Sequence, residues 1–348
     1  MQAPITVGGI EIRAGQRASF EVEVPTLYSH ATLNIPVQVV HGRHGGPRLL
    51  LTAALHGDEI NGVEIIRRVL RRKALNRLRG TLIAVPVVNV YGFIFQSRYL
   101  PDRRDLNRVF PGNEGGSMAA RLAYTFLNEI ASAATHCIDL HTGAIHRENL
   151  PQIRAYMDDE ETAKMARAFP TPVILNSELV EGSLRMTLLN LGIPAIVYEA
   201  SEALRFNEVA VRAGVSGILE VMRALNMLRA RNRTARSVEP LEARSSFWIR
   251  APQSGILRSL VGLGDRVKKA DRLGIVSDPF GDREEEVTTL FSGIVIGRTN
   301  IPLVNQGEAL FHIARFESTD AAAETVEAFQ QEMSPATDTI VTSEPPIV

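Results

Sequence analysis

An internal disulfide is closed to this chain, because its 348 residues contain a single cysteine, Cys137, set in an apolar stretch. That usage fits a reducing compartment. No sign of charge dominates either: 38 Lys and Arg stand against 39 Asp and Glu, a formal net charge of -1. Such a balance gives no reason to expect nucleic acid or an anionic membrane as partner. The one dense basic cluster, Arg67, Arg68, Arg71 and Arg72, has no interleaved aromatics and reads as the solvated face of a helix. Long apolar runs are also missing. No apolar segment follows a basic start, and no run approaches the roughly 20 residues of a membrane-spanning helix. A soluble, cytoplasmic protein is therefore expected.

What is present is an alternation of short apolar runs and helical patterns from about residue 48. Leu49 to Leu55 reads as a strand, then Asn61 to about Arg79 as a helix, Thr81 to Val88 as a strand and Met118 to Ala131 as a helix. Strands at Cys137 to Leu140, Ile153 to Met157, Val173 to Leu175 and Ala195 to Tyr198 alternate with helices at Glu160 to Phe169, Leu184 to Leu191 and Glu202 to Arg231. Uninterrupted apolar strands separated by helices predict an α/β fold: a mixed, largely parallel sheet with helices on both faces. The alternating patterns within the first 45 residues read as lead-in strands at the sheet's edge.

Ala230 to Arg244, rich in Arg, Asn and Ser, reads as a linker. Beyond it lies an internal repeat. Ser254-Gly255-Ile256-Leu257 returns as Ser292-Gly293-Ile294-Val295, and each copy runs on to a Gly-Asp or Gly-Glu turn and a closing apolar strand. Two such units bury their apolar faces against each other, which neither could do alone. This arrangement resembles the small β-barrel of biotinyl and lipoyl domains. Their modifiable Lys is absent from the corresponding hairpin, Asp278-Pro279-Phe280-Gly281-Asp282, which argues against a swinging arm. The organisation expected is a catalytic domain with lead-in strands over 1–235, an all-β domain over 245–316, and a short helix with a mobile tail over 317–348. Open edges on such a β-domain leave room for self-association into a homo-oligomer.

Three separated fragments carry the chemistry: Leu55-His56-Gly57-Asp58-Glu59, Asp105-Leu106-Asn107-Arg108 and Asp139-Leu140-His141-Thr142-Gly143. His56, His141 and Glu199 each follow an apolar strand, and binding residues gather at the carboxyl ends of such strands. Two His and one Glu form a ligand set of catalytic zinc that leaves a position open for water. An Arg beside an Asn suits a substrate carboxylate. Alone, each fragment has a plainer reading. Asp58 or Glu59 could stabilise a helix N-terminus, a role expected of Asp58 in any case, and His141 could cap a strand end. Against a merely solvated charge run, the loop from Asn89 to Ser117, with Arg98 and Arg104, is long and broken by Pro101, Pro111 and Gly112. Long loops of that kind are often functional.

Taken in this order on this architecture, the fragments resemble the succinylglutamate desuccinylase and aspartoacylase family, relatives of the zinc carboxypeptidases. The likeness runs through the motifs of residues 45 to 230 and into the β-domain. It implies one Zn2+ per chain, held by His56, Glu59 and His141, with Asp105 orienting His56. It implies Asn107 and Arg108 as the grip on a substrate carboxylate, and Arg98, with Arg104 as its neighbouring rival, as the group that polarises the scissile carbonyl. Glu199 would be the general base that a water-activating zinc site requires. The activity implied is hydrolysis of the amide bond of a small N-acyl amino acid or related N-acyl compound. The same residues would also serve a zinc carboxypeptidase acting on peptides, or a non-catalytic binding protein of the same fold. The acyl group and the amine are not legible in the sequence.

Overall fold

The computed structural model describes residues 2–27, 29–230 and 239–333. Its main sheet runs, edge to centre, through Arg17–Glu23, Asn34–His41, Arg79–Val85, His44–Ala53, His136–Gly143, Ala195–Glu202 and Arg147–Ala155. Arg79–Val85, His44–Ala53, His136–Gly143 and Ala195–Glu202 are parallel to one another, and the strands flanking them are antiparallel. This is the mixed, largely parallel sheet expected, with Arg17–Glu23 and Asn34–His41 at its edge, whereas Ile5–Val7 pairs with Ile10–Ile12 in a separate two-stranded sheet.

Alternation along one strand explains why helices cover both faces. In His44–Ala53, Leu49, Leu51 and Ala53 point into one core, where the helices Asn61–Leu70, Glu160–Ala168 and Glu208–Ala224 pack. Leu50 points into the opposite core, closed by Met118–Glu129 and Leu184–Asn190. Successive side chains of a strand leave on opposite sides, so a continuous apolar run serves two layers. Four of these helices start at capping side chains: Ser117, Asp159, Ser183 and Asn207 each accept from a backbone N–H one turn on. Each such cap stabilises its helix by about 1 kcal/mol.

Three expected elements differ in extent. The first helix stops at Leu70, and a separate 3₁₀ turn, Lys73–Arg77, carries Leu75 into the core. Asp58 does not cap that helix. Its N-cap is Ile60, without a side-chain bond, and the Asp58 carboxylate is buried with Oδ1 unpartnered. The helix expected from Glu202 begins at Glu208, because Ala195–Glu202 continues as strand and Leu204 donates its N–H to Asp58 O at 2.8 Å. Within the expected linker, residues 231–238 lie outside the described residues, whereas Leu241–Ala243 forms a strand parallel to Val173–Asn176.

The C-terminal region is all-β. One layer holds Arg266–Val267, Gly293–Thr299, Ala309–Arg315 and Ser245–Arg250, and the other holds Glu284–Thr288, Arg272–Ser277, Gly255–Ser259 and Leu303–Val304. Leu257, Leu273, Val276, Val295, Leu310, Phe311 and Ile313 fill the space between. The two repeat copies thus open strands in opposite layers. The first layer is continuous with the main sheet: Gly293–Thr299 pairs antiparallel with Arg147–Ala155 through Gly297↔Asn149, Arg298↔Glu148 and Thr299↔Arg147. Thr319–Met333 then returns as a helix whose Phe329 and Met333 join the first core. The expected tail beyond it lies outside the described residues.

Candidate active site

His56 sits at the turn after His44–Ala53, and His141 lies near the carboxyl end of the neighbouring parallel strand. Gly57 is required here by closeness rather than by conformation. A Cβ on it would sit 1.9 Å from the carbonyl carbon of Gly92, so the turn carrying His56 and Glu59 and the loop leading to Arg98 meet backbone to backbone. Glu59 follows within the same turn, its N–H donated to His56 O at 3.1 Å.

The three side chains converge. One ligand atom from each of His56, Glu59 and His141 lies within 4.8 Å of the others, and all three residues are buried. His56 Nδ1 is 2.7 Å from Glu59 Oε1, and His141 Nδ1 is 2.8 Å from Glu59 Oε2. The far nitrogens are held as well: His56 Nε2 lies 3.1 Å from Asp105 Oδ1 and His141 Nε2 lies 2.7 Å from Asp139 Oδ2. Every ring nitrogen therefore faces a carboxylate oxygen. A neutral imidazole has one N–H, so each ring needs either a second proton or a cation at Nδ1. A dication held by His56, Glu59 and His141 would satisfy these contacts, and the donor set would suit zinc.

The electrostatics agree. Burial alone would push the Glu59 carboxyl up, but His56 and His141 outweigh it and hold it well below the usual range. Burial likewise pushes both imidazoles down, yet Glu59 with Asp105 for His56, and Asp139 with Glu59 for His141, carry them above the ordinary value. Arg98 faces the same group. Its Nη1 is 3.2 Å from Glu59 Oε1, and its Nη2 donates to Asp105 Oδ2 at 2.9 Å. Arg104 instead pairs with Asp102 at 3.6 Å, on the exposed side of the loop.

A cleft of about 310 Å³ opens beside these residues. Asn107 and Arg108 line it. Asn107 Oδ1 accepts from Leu184 N at 2.9 Å, which ties the loop to the next helix, and Arg108 Nη1 donates to Asn107 O at 2.7 Å. Glu199 lines it from Ala195–Glu202, in register with His141. Its Oε2 accepts from Asn149 Nδ2 at 2.8 Å, and Oε1 is 3.5 Å from Arg154 Nε.

The sequence-model match of the succinylglutamate desuccinylase/aspartoacylase catalytic domain covers residues 45–225, just over half of the chain. The chain belongs to this family. Among its relatives, the N-alpha-acetyl-L-2,4-diaminobutyric acid deacetylase of Halomonas elongata is 33% identical over 144 residues, 40% of this chain and 42% of the relative. The succinylglutamate desuccinylase of Pseudomonas aeruginosa is 28% identical over 194 residues, 50% and 56% of the respective chains. The chain thus spans about half the length of the curated relatives it matches. A succinylglutamate desuccinylase/aspartoacylase structure from Rhodobacter sphaeroides superposes with a TM-score of 0.78 at 25% identity, covering 86% of this chain and 96% of that one. The product-bound ectoine utilization protein EutE (DoeB) of Ruegeria pomeroyi shares the fold, with a TM-score of 0.78 at 23% identity over 90% and 100%.

On this family fold the structure gathers His56, Glu59, His141, Asp105, Arg98, Asn107, Arg108 and Glu199 into one neighbourhood. Sequence reasoning missed its other walls. Asp139, two positions before His141 on one strand, shares its face, and that spacing was the available signal. Arg147, Asn149 and Arg154 come from the next strand, and Arg185 from the helix Leu184–Asn190. Arg185 has a buried Nη1 without a partner, and burial together with Arg154 lowers it to about 10. The β-domain contributes Trp248, stacked on His312 at 4.6 Å with Arg147 5.3 Å above its ring. Among the described residues, no helix is long and apolar enough to cross a membrane.

Proposed function

We propose that this protein is a zinc-dependent amidohydrolase that deacylates a small N-acyl amino acid or a related N-acyl compound bearing a carboxylate. The observation that carries this reading is the pair of imidazoles, each gripped by carboxylates on both nitrogens, with both Nδ1 atoms converging on Glu59 at the floor of an open cleft. When bound there, zinc supplies a Lewis acid that activates water and polarises a carbonyl. Family relatives named as a deacetylase and a desuccinylase support acyl-amide hydrolysis as the reaction class.

The chain's own residues divide the remaining work. Arg108 and Asn107 receive the substrate carboxylate at the rim and so fix which amide reaches the floor. Arg98 directs its guanidinium into the site and stabilises oxyanion charge as it develops, an effect worth about 3 kcal/mol for one well-placed donor. The Glu199 carboxylate takes a proton from the attacking water and returns it to the leaving nitrogen. A peptidase is the weaker reading. Trp248 of the β-domain forms part of the wall, and a cleft of about 310 Å³ is at the lower end of small-molecule sites.

The test is hydrolysis of N-acetyl, N-succinyl and dipeptide substrates by zinc-loaded protein, with a chelator-treated control and Glu199→Gln alongside. Metal-dependent release of amine from one acyl class, lost in Glu199→Gln with zinc retained, is the expected result. Cleavage of dipeptides alone moves the reading to a carboxypeptidase. Silence across the panel with zinc bound removes the deacylase.

A further inference from the structure

Glu199 is held by a residue that the β-domain in turn confines. Asn149, only 6% exposed, donates Nδ2 to Glu199 Oε2 at 2.8 Å. Its backbone lies between two strands. It pairs with Ser201 on Ala195–Glu202, just past the irregularity in register that follows Glu199, and with Gly297 of the β-domain on its other side. A side chain at Gly297 would crowd Asn149: a Cβ there would lie 3.0 Å from Asn149 Oδ1 and 3.2 Å from His312 Cβ. Asn149 thus donates to Glu199 through its side chain while its backbone pairs with the β-domain.

The same seam is clamped beyond Asn149. Glu202, on the strand of Glu199, accepts from His146 N at 2.9 Å and from Asn300 Nδ2 at 3.0 Å. Asn300 N in turn donates to His146 O at 2.7 Å. The loop between His141 and Asn149 is therefore fastened both to the strand of Glu199 and to the β-domain. A side-chain amide that donates to a carboxylate within a packed seam fixes where that carboxylate points, and small displacements of a reacting group are costly in rate.

We propose that Asn149 is the positioning residue for Glu199, and that the β-domain enforces its position through Gly297. The proposal rests on Glu199 being the proton carrier. On this view the β-domain acts on the reaction without touching Glu199 itself, and its continuity with the main sheet is what transmits the constraint.

The experiment compares Asn149→Ala, the isosteric Asn149→Asp and Gly297→Ala, each alone and combined with Glu199→Gln, in the full zinc-loaded chain. Turnover, KM, zinc content and thermal unfolding are measured for each. Asn149→Ala and Asn149→Asp are both expected to lower kcat by about 10- to 100-fold with KM and zinc content unchanged. Gly297→Ala is expected to do the same more weakly. In the Glu199→Gln background none of them should cost anything further, because residues acting as a unit do not add. Full activity in Asn149→Ala, which removes the donor, would overturn the proposal. Equal losses with and without Glu199 would overturn it too, while leaving Glu199 as the base. Turnover that survives Glu199→Gln alone would remove the base assignment and this proposal together.

Discussion

Asp139 Oδ2 lies 2.7 Å from His141 Nε2, two positions along the same strand, while Oδ1 accepts from the Thr52 hydroxyl at 2.7 Å. Thr52 is its register partner on the adjacent parallel strand. The carboxylate is thus anchored before it touches the imidazole, and the ring is turned with Nδ1 towards Glu59. Carboxylates placed this way fix the tautomer of a ligating histidine and raise its basicity. Asp139→Ala is expected to weaken zinc binding by about 10- to 100-fold. Competition against a chromophoric chelator reads this directly, and an unchanged affinity would mean that the strand alone orients His141.

Removing the imidazole itself should have a larger effect. His141→Ala leaves His56 and Glu59 as a two-residue site, and Glu59 loses the partner at 2.8 Å that helps hold it ionised. Stoichiometric zinc is expected to be lost, as measured by metal analysis after gel filtration. Zinc retained one to one would sink the ligand assignment.

Metal uptake should also release protons. In the metal-free protein both imidazoles are more basic than usual, so they keep their protons to higher pH than a free histidine does. Zinc needs the neutral rings. Affinity is therefore expected to fall as pH falls, and the decline should begin above the ordinary imidazole midpoint of about 6.5. Calorimetry at pH 7 in buffers of different ionisation enthalpy counts the protons released; a count of zero would contradict the two-sided carboxylate grip.

Much of this was legible in the sequence for physical reasons. A run such as Leu49 to Leu55 is almost wholly apolar because both faces of its strand are buried, so most strands of the sheet and the fold class followed from the pattern of apolar runs. His56, Glu59 and His141 were visible because strand ends mark where a parallel sheet gathers its ligands. The far wall was not. Asn149 and Arg154, Arg185, and Trp248 reach the cleft from three different elements, and nothing local distinguishes them from surface residues. Gly297 is the clearest case: its role lies in a contact with Asn149 that spans nearly half the chain, through a pairing between regions that the sequence divides.

Arg98 and Arg108 should separate in kinetics. Arg108 is exposed at the rim, and its Nη1 donates to the neighbouring Asn107 carbonyl, which leaves the rest of the guanidinium to meet a substrate carboxylate. Arg98 is turned inward between Glu59 and Asp105. A rim contact made equally in the ground and transition states affects KM, whereas a donor that meets charge only as it develops affects kcat. Arg108→Ala is therefore expected to raise KM for carboxylate-bearing substrates with kcat nearly constant. Arg98→Ala is expected to lower kcat by about 10²- to 10³-fold with zinc still bound. Steady-state kinetics on metal-quantified protein decides between them. If Arg98→Ala changed only KM, the oxyanion role would pass from Arg98, and if Arg108→Ala left KM unchanged, the carboxylate would have to be held deeper, by Arg154 or Arg185.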